Sequence, residues 1–215
     1  IGKYPDAGLY ATLGRVQSAD GTVLEHSAYF EGKGDAEGLL YLTNFFAAYD
    51  SDKRAKTYNT TCACAKKTAL LQAGGFREGC KIGEDLALFL QISAYYPVVL
   101  SPQVTTLYEK GNSVATKDVS FDPDWFFFEE AKNLLEDGAI SEEAKESIKS
   151  VMRWFTMRRA RHYCINGQKE KARRAYREIG KDAALRKDKW ITGVLLWLPT
   201  KFVQKIFAAR WRKQG

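Results

Sequence analysis

Glu84 and Asp85 stand side by side directly before an apolar stretch, in the run GGFREGCKIGEDLALFLQI of residues 74–92. Adjacent carboxylates at a helix entrance have two chemistries open to them. As caps, they accept free backbone N–H groups and sit at the positive end of the helix dipole. As acid–base groups, one carboxylate held rigid can take a proton while its like-charged neighbour raises its basicity. Capping needs only one of the two acids and leaves Gly74 and Gly75 unexplained. Those glycines let the backbone turn tightly beside the pair, and Phe76 is read as packing under that turn in preference to stacking on a ligand.

Other residues with chemistry to offer are sparse. Cys62, Cys64, Cys80 and Cys164 are too few and too irregularly placed for a disulfide framework, and they fit a reducing compartment. The Cys62-x-Cys64 spacing puts both thiols on one side of a strand, but His26 and His162 are far off in sequence and no zinc site is assigned. Asn59-Thr60-Thr61 matches a glycosylation acceptor, a pattern short enough to arise by chance.

The elements that must position the acidic pair read as mixed α/β. Residues 7–17 are strand-like, a turn follows at Ala19-Asp20-Gly21, and GTVLEHSAYF returns as a second strand. GLLYLTNFFAAY, 38–49, reads as helix. A strand is expected at about 57–64, then a short helix from Lys67 to Ala73 with a glycine stop. Residues 84–95 form a helix with Leu86, Phe89, Leu90 and Ser93 on one face and Leu88 and Ile92 beside it. Residues 96–111 hold two extended runs broken by Pro102. Beyond FDPDW at 121–125 only helices are expected: 126–136, 141–164, and 168–180 with Ala172, Ala175, Tyr176 and Ile179 on one face. The last expected segment is one amphipathic helix over 190–213.

Hydrophobic residues make up 45% and aromatic residues 13% of the 215, enough to bury a core and to exclude a disordered chain. Charge is split. Residues 151–215 hold 18 Lys and Arg against 4 Asp and Glu, a net +14; residues 1–150 hold 15 against 22, a net −7, and together these give the overall +7. The basic third calls for an anionic partner. No apolar run approaches the ~20 residues needed to span a bilayer as a helix. The chain opens on Ile1 without a signal peptide and reads as part of a longer polypeptide.

The order of features in residues 4–113 is itself informative. YPDAGLYAT, NTTCACAKKTALLQAGGF, GEDLALFLQISAYYPV and LYEKGNS follow one another in a way that resembles the second half of a family 2 glycosyltransferase with the GT-A fold. The resemblance covers about half of the chain. It implies that Asp85 is the general base of an inverting sugar transfer and that Glu84 orients it or the acceptor. It also implies substrate contacts from Gly74, Gly75, Phe76, Gly83, Tyr108 and Lys110. The family's loop after the YPV strand often carries a histidine; here Tyr108 and Lys110 stand in that loop, and Lys110 is a candidate contact for diphosphate. The donor-binding half and its Asp-x-Asp would precede YPDAGLYAT, so the Mg²⁺ or Mn²⁺ expected for the complete enzyme has its ligands outside this chain. Asp50-Ser51-Asp52 and Asp122-Pro123-Asp124 have the right letters in the wrong places, and neither is assigned.

Residues 141–180 resemble one helical hairpin of the tetratricopeptide kind, fewer than an independent array needs, and read as a cap on the catalytic body. The tail interleaves Trp190, Trp197, Phe202 and Trp211 with Lys201, Lys205, Arg210, Arg212 and Lys213. Such a helix either lies in a membrane interface or docks on its own domain.

The expectation is therefore an α/β, partial GT-A body over 1–118 and an all-α, basic region over 119–215. The resemblance implies a cytoplasmic glycosyltransferase, peripheral on the membrane face, moving sugar from a nucleotide-sugar donor (a UDP-sugar first) to a glycan or lipid-linked acceptor. Trp190, Trp197, Lys201, Lys205, Trp211 and Arg212 are its candidate membrane residues. The alternative is a non-catalytic adaptor that keeps a degenerate transferase body and binds an anionic partner. Nucleic acid is not the expected partner, because no known motif for it appears.

Overall fold

Alternating small, β-branched and apolar residues make Leu9–Gln17 a nine-residue strand, β1, on which the sheet is organised. The computed structural model describes residues 2–17, 21–24, 33–51, 60–79, 84–109, 126–183 and 185–211. One edge of β1 pairs in parallel with β5 (Val98–Glu109) along its whole length. Its other edge is shared by two short antiparallel partners, β4 (Ala63–Ala65) at its start and β2 (Val23–Leu24) at its end. β3 (Leu40–Leu42) lies antiparallel on the far side of β5, so the path runs β2-β1-β5-β3. The body is mixed α/β, with a mixed sheet.

Two expectations change here for identifiable reasons. Residues 96–111 form one strand rather than two runs. Pro102 is absorbed where the register slips: Ala11 faces Leu100 but Leu13 faces Val104, so the residue that cannot donate to the ladder falls in an irregularity. Residues 38–49 do not form one helix. Leu40–Leu42 join the sheet, and α1 (Phe45–Ser51) starts afresh because the Asn44 side chain accepts the Ala47 N–H at 3.1 Å, an N-cap in mid-segment.

The expected strand at 57–64 is described only from Thr60. It is a 3₁₀ turn, Thr60–Cys62, followed by the three residues of β4. The two thiols accordingly part company: Cys62, ending the turn, is buried, and Cys64, on β4, is exposed. Gly8 fits between β4 and the entry to β5. Its N–H donates to Pro97 O and its carbonyl accepts from Lys66 N, at 3.0 and 2.9 Å. A Cβ there would come within 2.5 Å of the Tyr96 Cβ, so only glycine allows this approach.

The chain divides into two compact units, residues 1–148 and 149–215. The first takes in α4 (Phe126–Glu136), which the sequence reading placed with the C-terminal helices. α4 buries Phe127, Ala131 and Leu134, spaced one helical turn apart, and packs on α3 (Glu84–Tyr95). α5 (Glu142–Ile165) runs across the division.

Within the second unit, α5 continues through the turn at Gly167 into α6 (Lys169–Glu178). The segment from 190 is not one helix. Leu198, forced into an extended conformation ahead of Pro199, ends α7 (Arg186–Trp197), and α8 (Thr200–Trp211) begins beyond it. Ala160, Cys164, Ala172, Ala175, Leu195 and Val203 form one buried cluster, which draws residues from α5, α6, α7 and α8. Among the described residues no helix is long and apolar enough to cross a membrane.

Candidate functional site

α3 begins at Glu84, so the acidic pair occupies its first turn. Beyond it Ala87, Leu88, Phe89, Leu90, Ile92 and Ser93 are all buried, α1, α2 (Lys67–Gln72), α4 and β1 pack on the helix, and Tyr95 is exposed at its far end. Leu86, expected on the buried face, stays half-buried like the pair, which leaves the N-terminal turn as the open end of a rigid rod. The Asp85 Oδ1 accepts the N–H of Leu86 at 2.7 Å. That bond fixes the carboxylate at the positive end of the helix.

Gly74 and Gly75 do what the sequence asked of them, in a specific way. Both adopt positive φ, +76° and +71°, and donate their N–H groups to Leu71 O and Leu70 O, closing the end of α2. The expectation that Phe76 packs under the turn is wrong. Its ring is 51% exposed, because the αL pair throws the chain outward before the side chain can reach the core.

A residue that sequence reasoning missed holds this loop. Arg77 pairs with Glu130 at 2.6 Å and with Glu129 at 3.3 Å, both on α4. α4 in turn meets the far end of α3, where the Tyr95 hydroxyl donates to Asp137. Burial and that bond push the Tyr95 phenol up to about 12, and the same bond holds the Asp137 carboxyl below its usual value. The available signal was the adjacent Glu129-Glu130 pair near the start of α4. Tyr108 stands on β5 opposite Val16 and is exposed. Gly83, Lys110 and Arg212 lie outside the described residues. So do Asp52 and the 122–124 run, and the Asp50 side chain is likewise outside them.

A cavity of about 370 Å³ opens elsewhere on the sheet, with Tyr4, Tyr10, Thr12, Cys64, Ser101 and Thr105 among the residues that line it. Tyr4 is clamped there: it donates to Asp35 at 2.7 Å and stacks on Tyr41 with ring centroids 4.9 Å apart. Lys3 pairs with Asp35 at 2.8 Å, and its hydrogen bond is the main reason the Asp35 carboxyl is held far below the usual carboxylate range. Neither Glu84 nor Asp85 lines this cavity. The two features are distinct.

Among the described residues no three His, Cys, Asp or Glu side chains gather to hold a metal ion. They offer no cradle for the divalent cation that the resemblance implies. Of the candidate membrane residues, Trp190, Trp197, Lys201 and Lys205 are exposed on α7 and α8, while Trp211 ends α8 with only its backbone described. No protein-family model, no curated protein and no solved structure matches this chain.

Proposed function

We propose that the chain is the acceptor-side half of an inverting family 2 glycosyltransferase of the GT-A fold, with Asp85 as its general base. The observation that carries the proposal is the first turn of α3: two carboxylates, half-open to solvent, at the end of a helix whose middle is buried from Ala87 to Leu90 and again at Ile92 and Ser93. In the reaction an acceptor hydroxyl gives its proton to Asp85 while its oxygen attacks the anomeric carbon of the donor. The new glycosidic bond forms as the bond to the nucleoside diphosphate breaks, and the diphosphate leaves with that electron pair. Glu84, one residue away, orients Asp85 or the acceptor. Tyr108, which lies on β5 and not in the loop the resemblance implied, and by sequence Lys110 and Gly83 are the candidate substrate contacts. The donor is a nucleotide sugar, a UDP-sugar first, and the acceptor a glycan or lipid-linked glycan at the cytoplasmic face of a membrane.

The test is a rate comparison in the complete polypeptide. Asp85→Asn keeps the shape and an acceptor oxygen for Leu86 N–H but removes the proton acceptor. Turnover falls by ~10²–10⁴-fold with donor binding and melting temperature nearly unchanged. Glu84→Gln is milder. A folded Asp85→Asn protein with undiminished turnover would reduce the pair to helix caps. A complete polypeptide that folds but transfers no sugar supports the second reading, a non-catalytic adaptor, for which the basic, aromatic surface of α7 and α8 is the favouring observation.

A further inference from the structure

Trp197 is 91% exposed and Trp190 70%, on a helix whose opposite side is fully packed. Tryptophan left this bare is uncommon on a monomeric surface and marks a face that meets something apolar. The exposed residues are not scattered. On α7, Trp190, Val194 and Trp197 follow the i, i+4, i+7 spacing of one helix face, opposite the buried Thr192 and Leu195. On α8, Phe202 and Ile206 are exposed one turn apart, on the arc beside the buried Val203. Leu195 and Val203 enter the same cluster, so the α7 row points away from that core and the α8 row borders it.

Cations border the rows. Arg186 and Lys187 stand on the exposed arc of α7, and Lys201 and Lys205 flank Phe202 and Ile206 on α8. The two helices, at 12 residues each, are too short to cross a bilayer. A row of Trp, Phe, Val and Ile edged by Lys and Arg suits the boundary between acyl chains and anionic headgroups. A second copy of the chain fits poorly, because the same cations would face one another across the contact.

We propose that α7 and α8 dock in the plane of an anionic bilayer. Trp190, Val194, Trp197, Phe202 and Ile206 enter the acyl region, and Arg186, Lys187, Lys201 and Lys205 contact headgroup phosphates. The proposal rests on this surface alone and stands whether or not Asp85 is a base.

The experiment is co-sedimentation of the 215-residue chain with vesicles of phosphatidylcholine alone and of phosphatidylcholine mixed with phosphatidylglycerol. No sugar donor or acceptor is present. The intact chain binds the mixed vesicles, and binding weakens as salt rises. The triple change Trp190→Ala, Trp197→Ala and Phe202→Ala lowers the affinity at least about tenfold. Lys201→Glu with Lys205→Glu lowers it for mixed vesicles only. All replaced side chains are exposed, so helical circular dichroism and melting stay unchanged and serve as the folding control. Equal binding of the triple variant overturns the proposal, as does indifference to phosphatidylglycerol. Concentration-dependent self-association in vesicle-free sedimentation, abolished by the triple change, would give the face to a second copy instead. Salt-sensitive binding to duplex RNA or DNA with no binding to mixed vesicles would also overturn it.

Discussion

Gly75 and Asp85 show how differently a single residue can be read from sequence and from structure. Gly75 was legible: a glycine pair after an apolar run ends a helix, and its φ of +71° confirms the left-handed turn. Nothing stands within 4 Å of where a Cβ would be, so the cost of replacing Gly75 is conformational, not steric. Gly75→Ala is expected to destabilise the protein by about 1–2 kcal/mol, and Gly75→Asn by less, since Asn visits this region more readily. Denaturant titration of both variants measures the difference. Asp85 was legible as a position, the first turn of a helix, but its openness was not, because that depends on how completely the rest of α3 is enclosed. Phe76 failed for the same reason in reverse. Its apolar character is local, whereas its exposure follows from the direction that two αL residues impose on the chain.

At the scale of elements, the helices were read to within a residue or two wherever periodicity and stop signals agreed, as for α2, α3, α4 and α6. The misreadings fall where a single polar or imino residue overrides an apolar run. Asn44 splits 38–49 into a strand and a helix by capping α1, and Pro199 splits the last segment in two. Pro199 was in plain view, and the rule that its predecessor leaves the helical region was sufficient to find the break. Asn44→Ala is expected to cost about 1 kcal/mol, the usual loss for a side-chain cap. Its Nδ2 also reaches Ser147 Oγ at 3.4 Å, so Ser147→Ala is the control, and equilibrium unfolding of the pair separates the cap from this longer contact. Pro102 misled in the other direction: a proline is no break when the register slips around it.

For the whole molecule, the opposite charges of the two regions were read directly from the sequence, and the structure sets the division between compact units at 148 rather than 118. What composition does not reveal is how stability responds to pH. Burial lowers the His162 imidazole from its ordinary 6.5, so the unfolded chain takes up the proton first. The stabilising contribution of neutral His162 is therefore present above 6.5 and is lost as pH falls below it, until the folded imidazole itself protonates. A second loss follows in stronger acid. The Asp6, Asp35 and Asp137 carboxyls are lowered chiefly by hydrogen bonds from Tyr41, Lys3 and Tyr95, and those contributions disappear below the usual carboxylate range. Melting temperature against pH should show two descending steps. His162→Gln should flatten the upper one and leave the lower; an unchanged upper step would mean that another group titrates there.

Lys169 at the start of α6 reaches the end of α7. Its Nζ donates to the carbonyls of Leu195, Leu196 and Leu198 at 3.1, 3.3 and 2.7 Å, so three orphan acceptors of a helix terminus share one ammonium. Amine acylation requires a nitrogen that a reagent can approach, and three carbonyls already surround this one. Modification of Lys169 must therefore wait for the end of α7 to lift away. Its rate of labelling, set against that of the exposed Lys201 and Lys205, would act as a clock for local opening at the Pro199 break.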